Sequence, residues 1–262
     1  MTPYVDSHAH LSLMAKRGID VHAMIERLVA EGFKGILDIG TEAGDLKARL
    51  AAFGGCPGVS FSAGIWPSRE AIQDRFRQME ILREGIASAG EERLVAIGEC
   101  GLDRHWNTEE AIWKGEAELF AAQAWLAVEL DLPIIVHSRD AAEETAAVLQ
   151  GIPGVRGVIH CFSYGAEEAR QFLDAGFYLS FAGTLTYKNA DGLRAALAFT
   201  PPDRILLETD SPYLAPVPFR GKPAEPGMVV YTYAAAALIK GLSVEELAEK
   251  VEDNYRRLFG IG

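Results

Sequence analysis

The chain has 262 residues, of which 49% are apolar, so it can bury a large core, and its length is typical of a single α/β barrel of about 250 residues. Its formal net charge of −12 argues against a broad nucleic-acid-binding surface, because phosphates are usually neutralised by patches of Lys and Arg. The charge does not exclude a phosphate held by metal ions, which the formal count omits.

Short apolar runs alternate with longer amphipathic stretches along the whole chain. The runs predict eight strands, at residues 4–8, 35–39, 59–64, 94–98, 134–138, 157–160, 178–181 and 204–208. The amphipathic stretches predict helices, among them 20–31, 113–130, 141–149 and 243–259. This alternation implies parallel strands with right-handed crossovers, and eight units favour a closed (β/α)₈ TIM barrel over an open sheet. With no linker or low-complexity tract, residues 1–262 are predicted to form one α/β domain.

The segment at residues 211–227 is the least regular part of the chain. It holds five of the twelve prolines and follows the last predicted strand. It is therefore predicted to form a rigid loop over the mouth of the barrel.

Four of the six histidines fall at or just after the carboxyl ends of predicted strands. His8 and His10 are two residues apart, so in an extended chain both imidazoles point to one face. His137 and His160 each end an apolar run. One such histidine is usually a core residue hydrogen-bonded to backbone, but four at equivalent strand ends favour a shared metal site.

Two acidic residues occupy matching positions. Glu99 follows the run at 94–98, and Asp210 follows the run at 205–207 by three residues. Because strand carboxyl ends converge on one face of a barrel, strands 1, 4, 5, 6 and 8 would direct six ligand-type side chains at one point. Mixed nitrogen and oxygen ligands suit Zn, Mn, Co or Ni better than Mg alone.

The sequence resembles the TatD family of metal-dependent deoxyribonucleases, within the wider amidohydrolase-like group. The resemblance runs from residue 4 to about residue 259. It rests on five motifs, at 6–11 (Asp-Ser-His-Ala-His-Leu), 98–103 (Gly-Glu-Cys-Gly-Leu-Asp), 136–141 (Val-His-Ser-Arg-Asp-Ala), 160–163 (His-Cys-Phe-Ser) and 207–216 (Leu-Glu-Thr-Asp-Ser-Pro-Tyr-Leu-Ala-Pro). The family implies two divalent ions, one held by His8, His10 and Asp210, the other by His137 and His160, with Glu99 bridging them.

The sequence departs from the family pattern at two places. The family usually has a histidine after Gly-Ile, often with a second after the following proline, where this chain has Trp66 and Ser68. Members also tend to carry Asn-Glu-Pro after Arg-Gly-Lys, where this chain reads Pro223 and Ala224 before Glu-Pro. Both departures spare the ligands, and both positions could contact substrate.

The predicted chemistry is hydrolysis by a metal-activated water, with a DNA phosphodiester as the first candidate substrate. Asp210 is the candidate general base, and Glu99 is the second catalytic carboxylate. Arg139 and Arg220 are candidate phosphate contacts, and Trp66 is a candidate platform for a base. For Arg139 an ion pair with its neighbour, and for Trp66 ordinary packing, remain open.

Two other functions compete with DNA cleavage. The same chemistry would serve a carboxylic ester or amide, such as an aminoacyl-tRNA. A non-catalytic binding barrel is disfavoured because all six ligand-type residues are present.

Cellular context is predicted from three features. The first candidate ligand, His8, comes too early to leave room for a signal peptide, and no apolar run approaches the ~20 residues of a membrane span. Cys56, Cys100 and Cys161 are odd in number and lack a CxxC pair, which is typical of reduced thiols. The sequence predicts a cytoplasmic protein without membrane contact, and no obligate protein partner is evident.

Overall fold

Among the residues that the structure describes, eight parallel strands form one sheet and lie in chain order, as the alternating pattern predicts. The computed structural model describes residues 1–90 and 93–262. The strands are β1 (Val5–Ala9), β2 (Gly35–Asp38), β3 (Val59–Ala63), β4 (Leu94–Asp103), β5 (Ile134–Arg139), β6 (Gly157–Ile159), β7 (Tyr178–Phe181) and β8 (Ile205–Leu207). The predicted (β/α)₈ barrel is confirmed.

The ends of β1 and β8 meet and bring the sheet nearly to closure. Ala9 and Ser211 form a parallel bridge. The backbone N–H of His10 donates to the carbonyl of Ser211 at 2.8 Å, and that of Asp210 donates to the carbonyl of His8 at 2.9 Å. The contacts that close the barrel therefore involve the backbone of three predicted ligands.

Helices cover the outside of the sheet. They are α1 (Leu11–Lys16), α2 (Val21–Ala30), α3 (Leu46–Phe53), α4 (Arg69–Gln73), α5 (Arg75–Ala89), α6 (Glu110–Glu129), α7 (Ala142–Gln150), α8 (Ala166–Asp174), α9 (Asp191–Phe199), α10 (Val229–Lys240) and α11 (Val244–Phe259). Short 3₁₀ helices occur at Gly183–Thr186, Pro202–Arg204 and Pro226–Met228. Ser243 caps α11 reciprocally with Glu246, which explains why that helix begins where the sequence predicts.

The strands are buried on both faces, as expected when helices cover a parallel sheet. In β5, for example, Ile134, Ile135 and Val136 are completely buried. This rigid core fixes the strand ends, and with them the side chains at the mouth of the barrel.

Strand β4 continues to Asp103, five residues beyond its predicted end at residue 98. Gly98 has φ +131°, and a Cβ there would lie 2.5 Å from the carbonyl oxygen of Ile135. Only glycine fits this conformation and this close approach. The irregularity lets the strand bulge between Ile97 and Cys100 and then resume pairing with β5, so Glu99 lies within the strand rather than after it.

Within the described ranges 1–90 and 93–262, no single helix is long and apolar enough to cross a membrane. One pair, Pro226–Lys240 with Val244–Phe259, passes that test jointly by length and composition, with a bend of 106° between its members.

Candidate metal centre

The six predicted ligands lie together at the carboxyl end of the barrel. His8 and His10 come from β1 and its end, Glu99 from β4, and His137 from β5, while His160 and Asp210 follow β6 and β8. A cavity of about 1520 Å³ opens above them, and all except the fully buried His8 line it. The structure thus brings together every side chain that the strand-end pattern selected.

The first half of the centre is formed by His8, His10 and Asp210. The Nε2 atoms of the two imidazoles lie 3.3 Å apart. Oδ1 of Asp210 lies 3.6 Å from Nε2 of His8 and 3.3 Å from Nε2 of His10. Oε2 of Glu99 lies 3.5 Å and 3.8 Å from the same two nitrogens. Four potential ligand atoms therefore surround one small volume.

The second half is formed by His137 and His160 around the other oxygen of Glu99. Oε1 of Glu99 lies 3.0 Å from Nδ1 of His137 and 2.9 Å from Nε2 of His160. The two nitrogens are 3.3 Å apart. Each oxygen of Glu99 thus faces a different pair of imidazoles.

These spacings fit a metal-binding arrangement. Two ligand atoms at about 2.1 Å from one ion and at a tetrahedral angle lie about 3.4 Å apart. The distances in the first half are between 3.3 and 3.8 Å. The side chains His8, Glu99 and His160, and likewise His8, His10 and Asp210, offer atoms within 4.8 Å of one another. The donor set and its geometry both suit divalent ions.

The electrostatic environment keeps the two carboxylates ionised. Burial alone would raise the pKa of Glu99, but the charge of His160 and hydrogen bonds with His137 and His160 hold it well below the usual range. Burial is likewise outweighed at Asp210, whose pKa is lowered by its hydrogen bond with His10 and by nearby imidazoles. Burial lowers the pKa of His8, whereas at His10, His137 and His160 the neighbouring carboxylates outweigh burial and raise the pKa. Metals bind ionised carboxylates and neutral imidazoles, so an ion bound here would displace protons from these three histidines.

Two further carboxylates contact the histidines of the second half. Oδ2 of Asp103 lies 2.9 Å from Nε2 of His137. Oε1 of Glu208 accepts a hydrogen bond from the backbone N–H of Cys161 at 2.8 Å and lies 3.4 Å from Nδ1 of His160. The contact between Glu208 and His160 fits a carboxylate that orients this imidazole.

The sequence reasoning missed Asp103, although it closes the motif at residues 98–103. The apolar run predicts a strand that ends at residue 98, and nothing in the sequence pattern indicates the bulge between Ile97 and Cys100 that carries the strand on to Asp103.

The candidate substrate contacts all line the cavity. Trp66 is half-buried, and its ring meets that of His137 edge-on with centroids 5.9 Å apart. Arg139 is exposed at the end of β5, and the guanidinium of Arg220 lies 4.3 Å from the ring centroid of Tyr187. Within the described ranges, Arg139 forms no salt bridge with its neighbour Asp140, so the alternative of a surface ion pair is not supported.

The two departures from the family pattern differ in position. Ser68 lines the cavity and also caps α4, accepting a hydrogen bond from the N–H of Ala71 at 3.1 Å. Ala224 is completely buried, and its N–H donates to the carbonyl of Pro212 at 3.1 Å. Ala224 is therefore not exposed to a substrate, whereas its neighbour Pro223 is exposed.

Comparison with known proteins identifies the family. The sequence model of the family described as "TatD related DNase" matches residues 5–260. The chain is 40% identical over 261 residues to the uncharacterized metal-dependent hydrolase YcfH of Escherichia coli (strain K12), covering 98% of this chain and 96% of that protein. It is 38% identical to the uncharacterized metal-dependent hydrolase YabD of Bacillus subtilis (strain 168), covering 98% of both.

One relative with a named activity and one solved structure also resemble this chain. The chain is 32% identical over 253 residues to the 3'-5' ssDNA/RNA exonuclease TatD of Rahnella sp. (strain Y9602), covering 91% of both. The crystal structure of YJJV, a TatD homologue from Escherichia coli K12, superposes with a TM-score of 0.89 at 27% identity, covering 99% of this chain and 98% of that one. The chain belongs to the TatD family of metal-dependent hydrolases.

Proposed function

We propose that the protein is a phosphodiesterase acting on nucleic acid, with single-stranded DNA as its first substrate class, and that it uses two divalent ions. The observation that carries the proposal is the position of Glu99, whose two oxygens each face a different pair of imidazoles. This is the arrangement expected of a carboxylate bridging two ions.

The ligand roles follow from these contacts. His8, His10 and Asp210 would hold one ion and His137 and His160 the other, with Glu99 contributing to both. Two bound ions would act as Lewis acids towards the phosphoryl group and would lower the pKa of a bound water molecule. The ions are Zn, Mn, Co, Ni or Mg, and their identity stays a prediction.

Asp210 is the proposed proton acceptor. The side chain of Asp210 is 14% exposed to solvent and that of Glu99 is 5% exposed, so water reaches Asp210 more readily. Its lowered pKa keeps it ionised, which a base requires. Asp210 has φ +56°, a left-handed conformation that Asp tolerates and that recurs at functional sites.

The shape and lining of the cavity support a nucleic-acid strand as substrate. At about 1520 Å³ it exceeds the roughly 300–1,000 Å³ usual for a small-molecule pocket. Its lining includes the cations Arg139, Arg220 and Lys188 and the half-buried ring of Trp66. Cations for the backbone and an aromatic face for a base are the features that bind single strands.

The cytoplasmic location remains a prediction.

The test is a substrate panel with metal-reconstituted protein. It compares single-stranded DNA, duplex DNA, single-stranded RNA, bis(4-nitrophenyl) phosphate and an aminoacyl-tRNA, each with Mn²⁺, Zn²⁺, Co²⁺ or Mg²⁺. We expect turnover of single-stranded DNA and of the small phosphodiester. Hydrolysis of the aminoacyl ester without phosphodiester cleavage would overturn the proposal in favour of the ester alternative.

A further inference from the structure

The imidazole of His137 is held between the candidate metal centre and a carboxylate. Its Nδ1 faces Oε1 of Glu99 at 3.0 Å and Nε2 of His160 at 3.3 Å. Its other nitrogen, Nε2, lies 2.9 Å from Oδ2 of Asp103. When Nδ1 binds a metal ion beside Glu99, the proton of His137 remains on Nε2, where the carboxylate of Asp103 accepts its hydrogen bond.

Asp103 is itself fixed by its surroundings. Its Oδ1 accepts the backbone N–H of Trp106 at 2.8 Å. Its own N–H donates to Oε1 of Glu116, a completely buried carboxylate on α6 that also accepts from Asn107 at 2.8 Å and pairs with Arg104. These contacts already fix the carboxylate of Asp103 in place, so no conformational entropy is lost in ordering it when a metal ion binds.

The first half of the centre lacks this support at one of its histidines. Nδ1 of His8 is buried and, within residues 1–90 and 93–262, has no hydrogen-bond partner. Its ring instead stacks on that of His160, with centroids 3.9 Å apart and planes 10° apart. In the second half, Asp103 backs His137, and Glu208 lies within 3.4 Å of His160. Carboxylates behind ligating imidazoles raise their basicity and fix their orientation.

We infer that Asp103 is a positioning residue for His137 and strengthens ion binding at the His137–His160 position. It accepts the hydrogen bond of the Nε2 proton and so directs Nδ1 at the ion. The inference rests on the proposed two-ion centre, so its test must separate the two claims.

The first measurement is calorimetric titration of metal-free protein with Co²⁺. It compares wild type with Asp103→Asn, with His137→Ala to identify the second-half site, and with Asp140→Asn as a matched control. Asp140 is a mostly exposed aspartate just beyond β5 and is not a proposed ligand. The two contacts of Asp103 are made by different oxygens, Oδ1 with the N–H of Trp106 and Oδ2 with His137, so the single oxygen of the amide in Asp103→Asn can replace only one of them.

We expect wild type to bind two Co²⁺ ions with different affinities. His137→Ala should abolish the binding of one ion. Asp103→Asn should weaken the binding of that same ion by about 10- to 100-fold and should leave the affinity for the other ion unchanged. Asp140→Asn should match wild type at both. Thermal unfolding of each variant shows whether the fold is retained.

The second measurement needs no variant to fold. ¹⁵N spectra of the histidines in Zn²⁺-loaded wild type should show His137 bound to the ion through Nδ1 and protonated at Nε2. A merely structural role for Asp103 would not determine that tautomer.

The outcomes separate the two claims. Equal weakening of the binding of both ions, no weakening in folded Asp103→Asn, or binding of Zn²⁺ through Nε2 of His137 in wild type would overturn the role of Asp103. Uptake of a single ion by wild type would overturn the two-ion centre. In that case the positioning role stands only if Asp103→Asn weakens an ion that also requires His137.

Discussion

Replacement of Trp66 by alanine tests how the protein recognises its substrate. The ring is half-buried at the cavity wall, and its backbone is fixed because Trp66 donates to the carbonyl of Thr41 at 3.0 Å and accepts from the N–H of Ser68 at 2.7 Å. Tryptophan carries no charge and a single N–H donor, so what it offers a substrate is its flat face. We expect Trp66 to bind a base rather than a phosphate.

The size of the effect follows from the energy of stacking. A stacked base contributes about 1–3 kcal/mol, so Trp66→Ala should raise KM for an oligonucleotide by about 5- to 140-fold, with a smaller change in kcat. This holds where KM reports binding. A small base-free phosphodiester, bis(4-nitrophenyl) phosphate, should be hydrolysed nearly as by wild type, unless its nitrophenyl ring stacks in place of a base.

The assay measures kcat and KM on both substrates for wild type, Trp66→Ala and Trp125→Ala. Trp125 is a partly exposed tryptophan on α6 that does not line the cavity, so it controls for loss of a large aromatic side chain. The ring of Trp66 also meets that of His137, with centroids 5.9 Å apart. Equal loss on both substrates would therefore show that Trp66 supports the metal centre or the fold, and no change on either would show that it only packs.

Three further substitutions test the candidate metal centre and the buried ion pair between Asp38 and Arg49. Asp210→Asn should lower kcat by at least the 10²–10⁴-fold typical of general-base loss while circular dichroism stays unchanged, and substantial turnover in the fully metallated variant would assign the proton to another group. Wild type saturated with Co²⁺ should hold two ions by elemental analysis and Glu99→Ala fewer, whereas an equal count in both would refute the bridge. Arg49→Met should cost about 3–5 kcal/mol in urea unfolding, because it leaves the buried carboxylate of Asp38, 3.1 Å from the guanidinium, without its counter-charge. Recovery in Asp38→Asn/Arg49→Met is expected, and a stable single variant would contradict this account.

The sequence predicted the barrel and the six ligand-type residues for the same physical reason. Each barrel strand packs against helices on its outer face and against the barrel core on its inner face, so it reads as a continuous apolar run whose end is visible in the sequence. A polar residue at such an end must face the mouth of the barrel, which is why His137 and His160 could be paired with Glu99 across distant segments.

What could not be predicted depends on register and tertiary packing. The bulge in β4 at Gly98 carries the strand on to Asp103, and only the pairing of β4 with β5 places that carboxylate beside His137. Apolar periodicity carries no information on such an offset. The burial of Ala224 is similarly set by its contact with Pro212, within a segment that has no regular apolar pattern.

The charge of the chain and the charge of its proposed substrate have to be reconciled. Two divalent ions would add about four positive charges, while Glu99 and Asp210 subtract two and the nearby carboxylates Asp103 and Glu208 subtract two more, so the loaded centre is close to neutral overall. At long range an anionic strand would meet the net charge of −12. At 0.1 M salt, however, interactions between exposed charges fade beyond about 10 Å. Attraction must therefore arise at short range inside the cavity, where the ions, Arg139 and Arg220 can contact individual phosphates. This favours a flexible strand that enters the mouth over a duplex lying across an acidic surface.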